Sequence, residues 1–80
     1  MATEPKVRGA DVARCLKRRI IPGALDAAEI RASIAEQAGC STETVKRIED
    51  GKFDWVELDR ADKLLVACGA HLNECEVREV

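Results

Sequence analysis

Cysteine and histidine are the residues of this 80-residue chain that most readily bind metal ions or form covalent cross-links. The only histidine, His71, falls three residues after Cys68 and four residues before Cys75, a spacing that could align three soft ligands along one helix. Gly69 interrupts that helix, however, and no C-x-x-C pair anchors a site. We therefore expect no metal ion, and we expect reduced, buried thiols rather than disulfides. The four cysteines are Cys15, Cys40, Cys68 and Cys75.

The sequence also lacks the residue pairings that predict catalysis. No nucleophile is paired with a base, no glycine-rich loop is suited to cradling phosphate, and His71 has no evident residue to orient it. The chain is therefore not expected to be an enzyme, to hold a cofactor or to act on a small-molecule substrate.

The formal net charge is −2 at pH 7, but the charges are unevenly distributed along the chain. Residues 1–20 contain six basic and two acidic residues, whereas residues 53–80 contain three basic and seven acidic residues. A mildly acidic domain can still bind nucleic acid if its basic groups share one face. No apolar run approaches the ~20 residues that span a bilayer, and the first residues lack the apolar core of a signal peptide. We expect a cytoplasmic protein with no membrane partner.

Apolar residues recur with helical spacing in four segments, and the scarcity of aromatic residues favours closely packed short helices. The first helix is predicted at about residues 8–20. The second helix starts at Asp26, which together with Glu29 matches a capping box. Leu25 and Ile30, on either side of that start, have the spacing of a hydrophobic staple.

A glycine ends the second predicted helix and a serine begins the third. Gly39 suits the left-handed conformation found at helix C-termini, and Ser41 suits the cap of a helix at residues 42–50. A fourth helix follows an irregular or extended connection. We predict an all-α domain of four to five helices at residues 8–80, preceded by a flexible basic arm at residues 1–7.

The second and third predicted helices, within about residues 27–50, have the layout of a helix-turn-helix, in which a short turn containing glycine joins two helices. Ala35 provides a small residue where the two backbones approach each other, and Gly39 provides a turn residue that tolerates positive φ. Val45 and Ile48 would hold the third helix against the second.

Residues 33–52, SIAEQAGCSTETVKRIEDGK, resemble the lambda-repressor-like helix-turn-helix family of Cro and phage repressors, which typically shows the pattern IA-x-x-x-G-x-S-x-x-x-V-x-x-I/L-E-x-G. Residues 61–69, ADKLLVACG, resemble the helix that follows in that family. The resemblance covers about residues 26–72. It implies a Cro-like phage or bacterial repressor, a transcription regulator that binds double-stranded DNA and reads the major groove with the helix at residues 42–50.

The resemblance implies that two groups of side chains face DNA. Arg47 is suited to bidentate hydrogen bonds with guanine, and Glu43 could accept a hydrogen bond from cytosine N4. The predicted base-reading residues are Thr42, Glu43, Lys46 and Arg47. The predicted phosphate ligands are Arg31, Ser41 and Lys52, together with Arg18 from the basic first helix.

Two other interpretations stay open at the level of the sequence. Residues 52–58 could form a wing, which would favour an excisionase-like winged-helix protein that bends DNA. The acidic C-terminal third could instead contact a basic protein partner, as in an antirepressor or a modulator of host transcription. A repressor would be expected to act as a twofold homodimer. The candidate interface is the apolar part of the tail, Leu72, Cys75, Val77 and Val80.

Overall fold

The computed structural model describes residues 3–80, which fold into four α-helices and one three-stranded antiparallel sheet. The prediction of an all-α domain is therefore wrong, because the chain is a mixed α/β protein. In chain order the elements are β1 (Pro5–Arg8), α1 (Gly9–Arg19), α2 (Ala27–Ala38), α3 (Thr42–Glu49), β2 (Trp55–Glu57), α4 (Leu58–Ala67), a 3-10 turn (Leu72–Glu74) and β3 (Val77–Glu79).

The sheet has the order β2-β1-β3, so the N-terminal strand lies at its centre. Val7 pairs with Val56 on one side and with Val77 on the other. Val7 and Val56 are buried against the helices, and this burial selects the register of the short strands. Each strand has only three or four residues, too few for a period-two pattern to stand out in the sequence.

Two predictions about extended segments change once the sheet is known. Residues 5–7 lie in a paired strand and not in the flexible arm predicted for residues 1–7; the first two residues of that arm lie outside the described part of the chain. Residues 52–58 form no hairpin of their own, since β2 pairs with the distant strand β1. The single short strand in that segment completes the sheet instead of projecting from the protein as a wing.

Gly9 occupies the junction between β1 and α1, where the backbone passes very close to the connection after α3. Its amide donates a hydrogen bond to the Asp54 carbonyl at 2.8 Å. A Cβ atom at this position would overlap the Phe53 carbonyl oxygen, so a residue with a side chain does not fit. This close approach fixes the direction in which α1 leaves the sheet.

The helices pack around an apolar core that continues onto the inner face of the sheet. Val12, Leu16 and Ile20 recur every four residues and are all 0% exposed, in agreement with the helical spacing from which the first helix is predicted. The core is completed by residues from every other helix and from two strands, including Val7, Ile34, Val45, Ile48, Val56, Ala61 and Leu64. None of the helices of residues 3–80 has the length and apolar character needed to cross a membrane.

The start of α2 differs from the prediction. Asp26 precedes the helix, but its side chain makes no capping hydrogen bond, so the predicted capping box with Glu29 is not formed. Leu25 is fully exposed and therefore cannot form the predicted staple with the half-buried Ile30. The first turn depends on backbone hydrogen bonds such as that from Ile30 N to Asp26 O at 3.0 Å.

Candidate nucleic-acid interface

A short turn joins α2 to α3 at the position where the sequence predicts one. Gly39 adopts the left-handed conformation with φ of 69°, and Cys40 N donates to the Ala35 carbonyl at 3.0 Å. Ser41 caps α3, because its Oγ accepts a hydrogen bond from Thr44 N at 3.1 Å. The predicted roles of the turn glycine and the capping serine are therefore confirmed.

Helix α3 buries one side and exposes the other. Val45 and Ile48 are 0% and 2% exposed, as predicted, and they anchor the helix in the core. The exposed side carries five polar or charged residues, which are Thr42, Glu43, Lys46, Arg47 and Asp50 just after the helix. All four predicted base-reading residues thus share this exposed face of α3.

The charges on the exposed face of α3 are paired with one another. Arg47 Nη2 lies 2.8 Å from Glu43 Oε1, and Lys46 Nζ lies 3.6 Å from Asp50 Oδ1. Both pairs are separated by one helical turn and stay at least 46% exposed, so water screens them and each stabilises the fold only weakly. The face is electrically near neutral, yet its side chains are free to exchange partners.

Arg31 does not present a free guanidinium to solvent. Its Nε donates to Glu49 Oε2 at 2.7 Å, and its Nη2 donates to Oε1 of the same carboxylate at 3.1 Å. The Arg31 and Glu49 side chains are only 18% and 5% exposed, and the hydrogen bonding to Glu49 raises the pKa of Arg31. This bidentate contact joins α2 to the end of α3, so the predicted phosphate ligand serves first to hold the two helices together.

The other predicted phosphate ligands differ in whether their polar groups already have partners within the protein. Ser41 uses its hydroxyl in the helix cap, and Arg18 donates to the Glu74 carboxylate and to the Cys15 sulfur, each at 3.1 Å. Lys52 is exposed and forms no ion pair within residues 3–80. Among the charged residues predicted to bind phosphate, Lys52 is therefore the one whose charge is available to DNA.

Three further basic residues lie beside α3. Lys6 of β1 and Arg60 of α4 line a groove together with Thr44, on one side of the helix. Lys17 of α1 lines a second groove with Asp50 and Gly51, at the end of α3. No ion pair involves Lys6, Lys17 or Arg60 in the described chain. No local sequence pattern predicts that Lys6 and Arg60 lie together, because β1 and α4 are far apart in the chain and meet only in the folded protein.

The cysteines lie outside this interface except for Cys40 in the turn. All four are free thiols; Cys15 is buried and the other three are half-buried. In residues 3–80, histidine, cysteine and acidic side chains form no cluster of three suited to a metal ion.

A scan against protein-family models, a search of curated proteins and a search of solved structures each returned no match to this chain. The case for a function therefore depends on the arrangement of α2, α3 and the basic residues around them.

Proposed function

We propose that this chain is a sequence-specific regulator of transcription that binds double-stranded DNA in the manner of a small Cro-like phage or bacterial repressor. The proposal depends above all on the exposed face of α3, where Thr42, Glu43, Lys46 and Arg47 lie opposite a buried apolar side. An α-helix fits the major groove of B-DNA, and these side-chain types can form hydrogen bonds with base edges. The resemblance of residues 33–52 to repressor sequences supports the same function.

Arg47 is the residue that we expect to contribute most to base recognition. Its side chain is 59% exposed and that of Glu43 is 71% exposed, so the contact between them is weak and costs little to release. The guanidinium could then donate two parallel hydrogen bonds to guanine O6 and N7. Glu43, once released, could accept a hydrogen bond from a neighbouring cytosine N4.

The basic residues around α3 would provide the phosphate contacts that set the register of the protein on DNA. Lys52 follows α3, Lys17 lies beside its end, and Lys6 and Arg60 lie beside Thr44 in its first turn. The protein as a whole is mildly acidic, so its attraction to DNA depends on these few cations. Binding should consequently weaken markedly as the salt concentration rises.

Homodimerisation through the tail forms part of the same proposal. β3 is an edge strand of the sheet, and its first residue, Val77, is 43% exposed. Val80, just after the strand, is 47% exposed. The other two candidate interface residues, Leu72 and Cys75, pack against the core instead. A twofold dimer would present two copies of α3 to a palindromic duplex in the cytoplasm. Size-exclusion chromatography with light scattering tests this point, and a monomer both at high concentration and on DNA would contradict it.

The DNA proposal is tested by selecting bound duplexes from a random pool, followed by gel-shift titration of the selected sequence at several salt concentrations. We expect Arg47→Ala to weaken binding to that sequence by about tenfold to a hundredfold, the effect of losing a bidentate base contact. Lys63→Ala is the matched control, because Lys63 forms a comparable exposed pair with Asp59, at 3.4 Å, on α4. The two variants remove the same kind of surface ion pair from different helices.

The proposal fails if no sequence is enriched, or if Arg47→Ala binds the duplex with unchanged affinity and salt dependence. Equal losses in Arg47→Ala and Lys63→Ala would also contradict it, since α3 would then have no special role. Circular dichroism of both variants shows that the fold is retained in each comparison.

A further inference from the structure

Cysteines from three separate parts of the chain approach each other where α1 meets the C-terminal segment. Cys15 of α1 is 2% exposed and packs with Leu65 and Ala70, and Cys75 packs against the same cluster just before β3. Cys68, which ends α4, lines a small cavity of about 120 Å³ together with Cys15. The three cysteines lie apart from the exposed face of α3 and are not among the residues expected to contact DNA.

The Cys15 sulfur lies in a polar setting that is unusual for a buried thiol. Arg18 Nη2 donates a hydrogen bond to Cys15 Sγ at 3.1 Å, and the same nitrogen lies 3.1 Å from Glu74 Oε1. Arg18 and Glu74 also line the cavity that reaches Cys15. A small polar molecule entering this cavity would therefore meet a sulfur with a guanidinium beside it.

Cys75 is held beside α1 and packs against the cluster that contains Cys15. The amide of the following residue, Glu76, donates to Asp11 Oδ2 at 2.8 Å, one helical turn before Cys15. Burial is the main reason that the pKa of Cys75 is raised to about 11, and the nearby Cys15 sulfur adds to the effect. Burial likewise raises the pKa of Cys68 to about 11. Cys75 is thus a protonated thiol near neutral pH, so it does not compete with Cys15 for the peroxide and gives up its proton only as it attacks the oxidised Cys15.

We propose that Cys15 and Cys75 form a reversible oxidation site that converts to a disulfide in the presence of a hydroperoxide. In the first step the Cys15 sulfur attacks one oxygen of hydrogen peroxide, the O–O bond breaks, and the departing hydroxide takes the thiol proton to become water. Cys15 is left as a sulfenic acid. The hydrogen bond from Arg18 orients the sulfur toward the cavity from which peroxide arrives.

In the second step the Cys75 sulfur attacks the sulfenic sulfur of Cys15 and the S–O bond breaks. The hydroxyl group leaves with the Cys75 proton as a second water molecule. In total, two thiols lose two electrons to form one S–S bond, and one hydrogen peroxide is reduced to two molecules of water. A dithiol reductant reverses the change by thiol–disulfide exchange.

The disulfide would join α1 to the segment that leads directly into β3. Because the two residues are far apart in the sequence, the cross-link would close a long loop and restrict the unfolded chain more than the folded one. β3 would then be attached to α1 through the disulfide, in addition to its hydrogen-bonded pairing with β1. We expect oxidation to raise the thermal unfolding midpoint, and reduction to restore the original value.

The test is to treat the reduced, full-length protein with a small excess of hydrogen peroxide, block the remaining thiols, and map disulfides by mass spectrometry without reduction. Trypsin releases Cys15 in residues 15–17 but leaves Cys68 and Cys75 together in residues 64–78. A second digestion with a glutamyl endopeptidase cuts after Glu74 and separates these two cysteines. We expect an intramolecular cross-link between Cys15 and Cys75, with Cys40 recovered as a free thiol.

Three variants make the assignment specific even if replacing the buried Cys15 were to disrupt the fold. Cys75→Ala should abolish the cross-link and leave Cys15 as a sulfenic acid that dimedone traps, whereas Cys40→Ser, the matched control, should form it normally. Arg18→Gln should slow the reaction several-fold without changing its product. A cross-link to Cys68, a cross-link only between two chains, or no oxidation under conditions that oxidise a free-cysteine peptide would each overturn the proposal.

Discussion

Helix α3 takes part in two arginine–glutamate pairs that differ in almost every respect except their chemistry. Arg31 and Glu49 form a bidentate contact between two helices, with side chains 18% and 5% exposed. Arg47 and Glu43 meet within one helix through a single contact of 2.8 Å, with side chains 59% and 71% exposed. The first pair is part of the protein interior and the second is part of its surface.

Burial decides whether a charged side chain mainly stabilises the fold or is available to bind another molecule. A buried carboxylate that loses its partner stays desolvated without compensation, so the Arg31–Glu49 contact is hard to open. An exposed pair exchanges readily with water, and either partner can turn to a new ligand. The two arginines therefore have opposite roles: Arg31 holds α2 and α3 together, whereas Arg47 is available to bind another molecule, which in our proposal is DNA.

The largest effect is expected from breaking the buried pair. Glu49→Ala should lower the free energy of unfolding by about 3 kcal/mol, because it leaves the Arg31 guanidinium partly desolvated and unpaired. Glu43→Ala, its exposed counterpart, should change the stability by less than about 0.5 kcal/mol. Urea unfolding followed by circular dichroism measures both values.

A double variant isolates the reason for that loss. Replacing both partners with apolar residues, Arg31→Met with Glu49→Leu, should recover most of the stability, since no uncompensated charge is left. If Glu49→Ala and Glu43→Ala destabilise the protein equally, burial does not distinguish the two pairs.

The next effect concerns what the exposed arginine recognises. Arg47→Lys keeps the charge but removes the planar pair of donors, so we expect about tenfold poorer discrimination at one base position. Binding to non-specific DNA should change little. Competition gel shifts with single-base variants of the selected duplex measure this, and a uniform loss on all sequences would indicate a phosphate contact instead.

A smaller effect is expected from Lys52, which forms no ion pair within residues 3–80. Lys52→Ala should weaken binding about equally on all duplexes and lower the magnitude of the salt slope by about 1, the value for one phosphate contact. Lys63→Ala again provides the comparison, because Lys63 lies on α4 in a pair with Asp59. An unchanged slope in Lys52→Ala would place Lys52 away from DNA.

The smallest effect is expected from a third pair, Arg18 and Glu74, which lies at the surface. The hydrogen bond from the His71 backbone amide, followed by that from Arg18, lowers the pKa of Glu74 below its ordinary value of 4.5. A lowered folded-state pKa gives stability that is present above pH 4.5 and is lost as the pH falls through the folded-state pKa. The thermal midpoint of Glu74→Gln should thus lie slightly below that of the native chain at pH 7 and converge with it in acid.

The helix-turn-helix was predictable because its determinants are local. Gly39 is needed at a left-handed turn, Ser41 caps the next helix, and Val45 and Ile48 recur at helical spacing. Each of these features depends on residues only a few positions apart, so a short stretch of sequence is enough to predict it. The exposed positions on α3 followed from the same periodicity.

The sheet and the ion pairs were not predictable in this way because their partners are distant in the chain. Val7 is placed in the sheet by pairing with Val56 and Val77, which are distant in the chain. None of the three strands is long enough to show an alternation of apolar and polar residues. Arg31 resembled a phosphate ligand until the crossing of α2 and α3 brought Glu49 within hydrogen-bonding distance. Charge and position in the sequence do not reveal which carboxylate an arginine will meet.

The central position of β1 has a consequence for the order of folding during synthesis. β1 is synthesised before the other elements described here, yet its register pairs Lys6 with Glu57 on one side and with Arg78 on the other. The helices between these strands can assemble through short-range contacts, whereas β1 has to wait for segments that are made much later. We therefore expect closure of the sheet to be the slow, final step in folding of this domain, with Val7 exposed in the nascent chain until β3 has been synthesised.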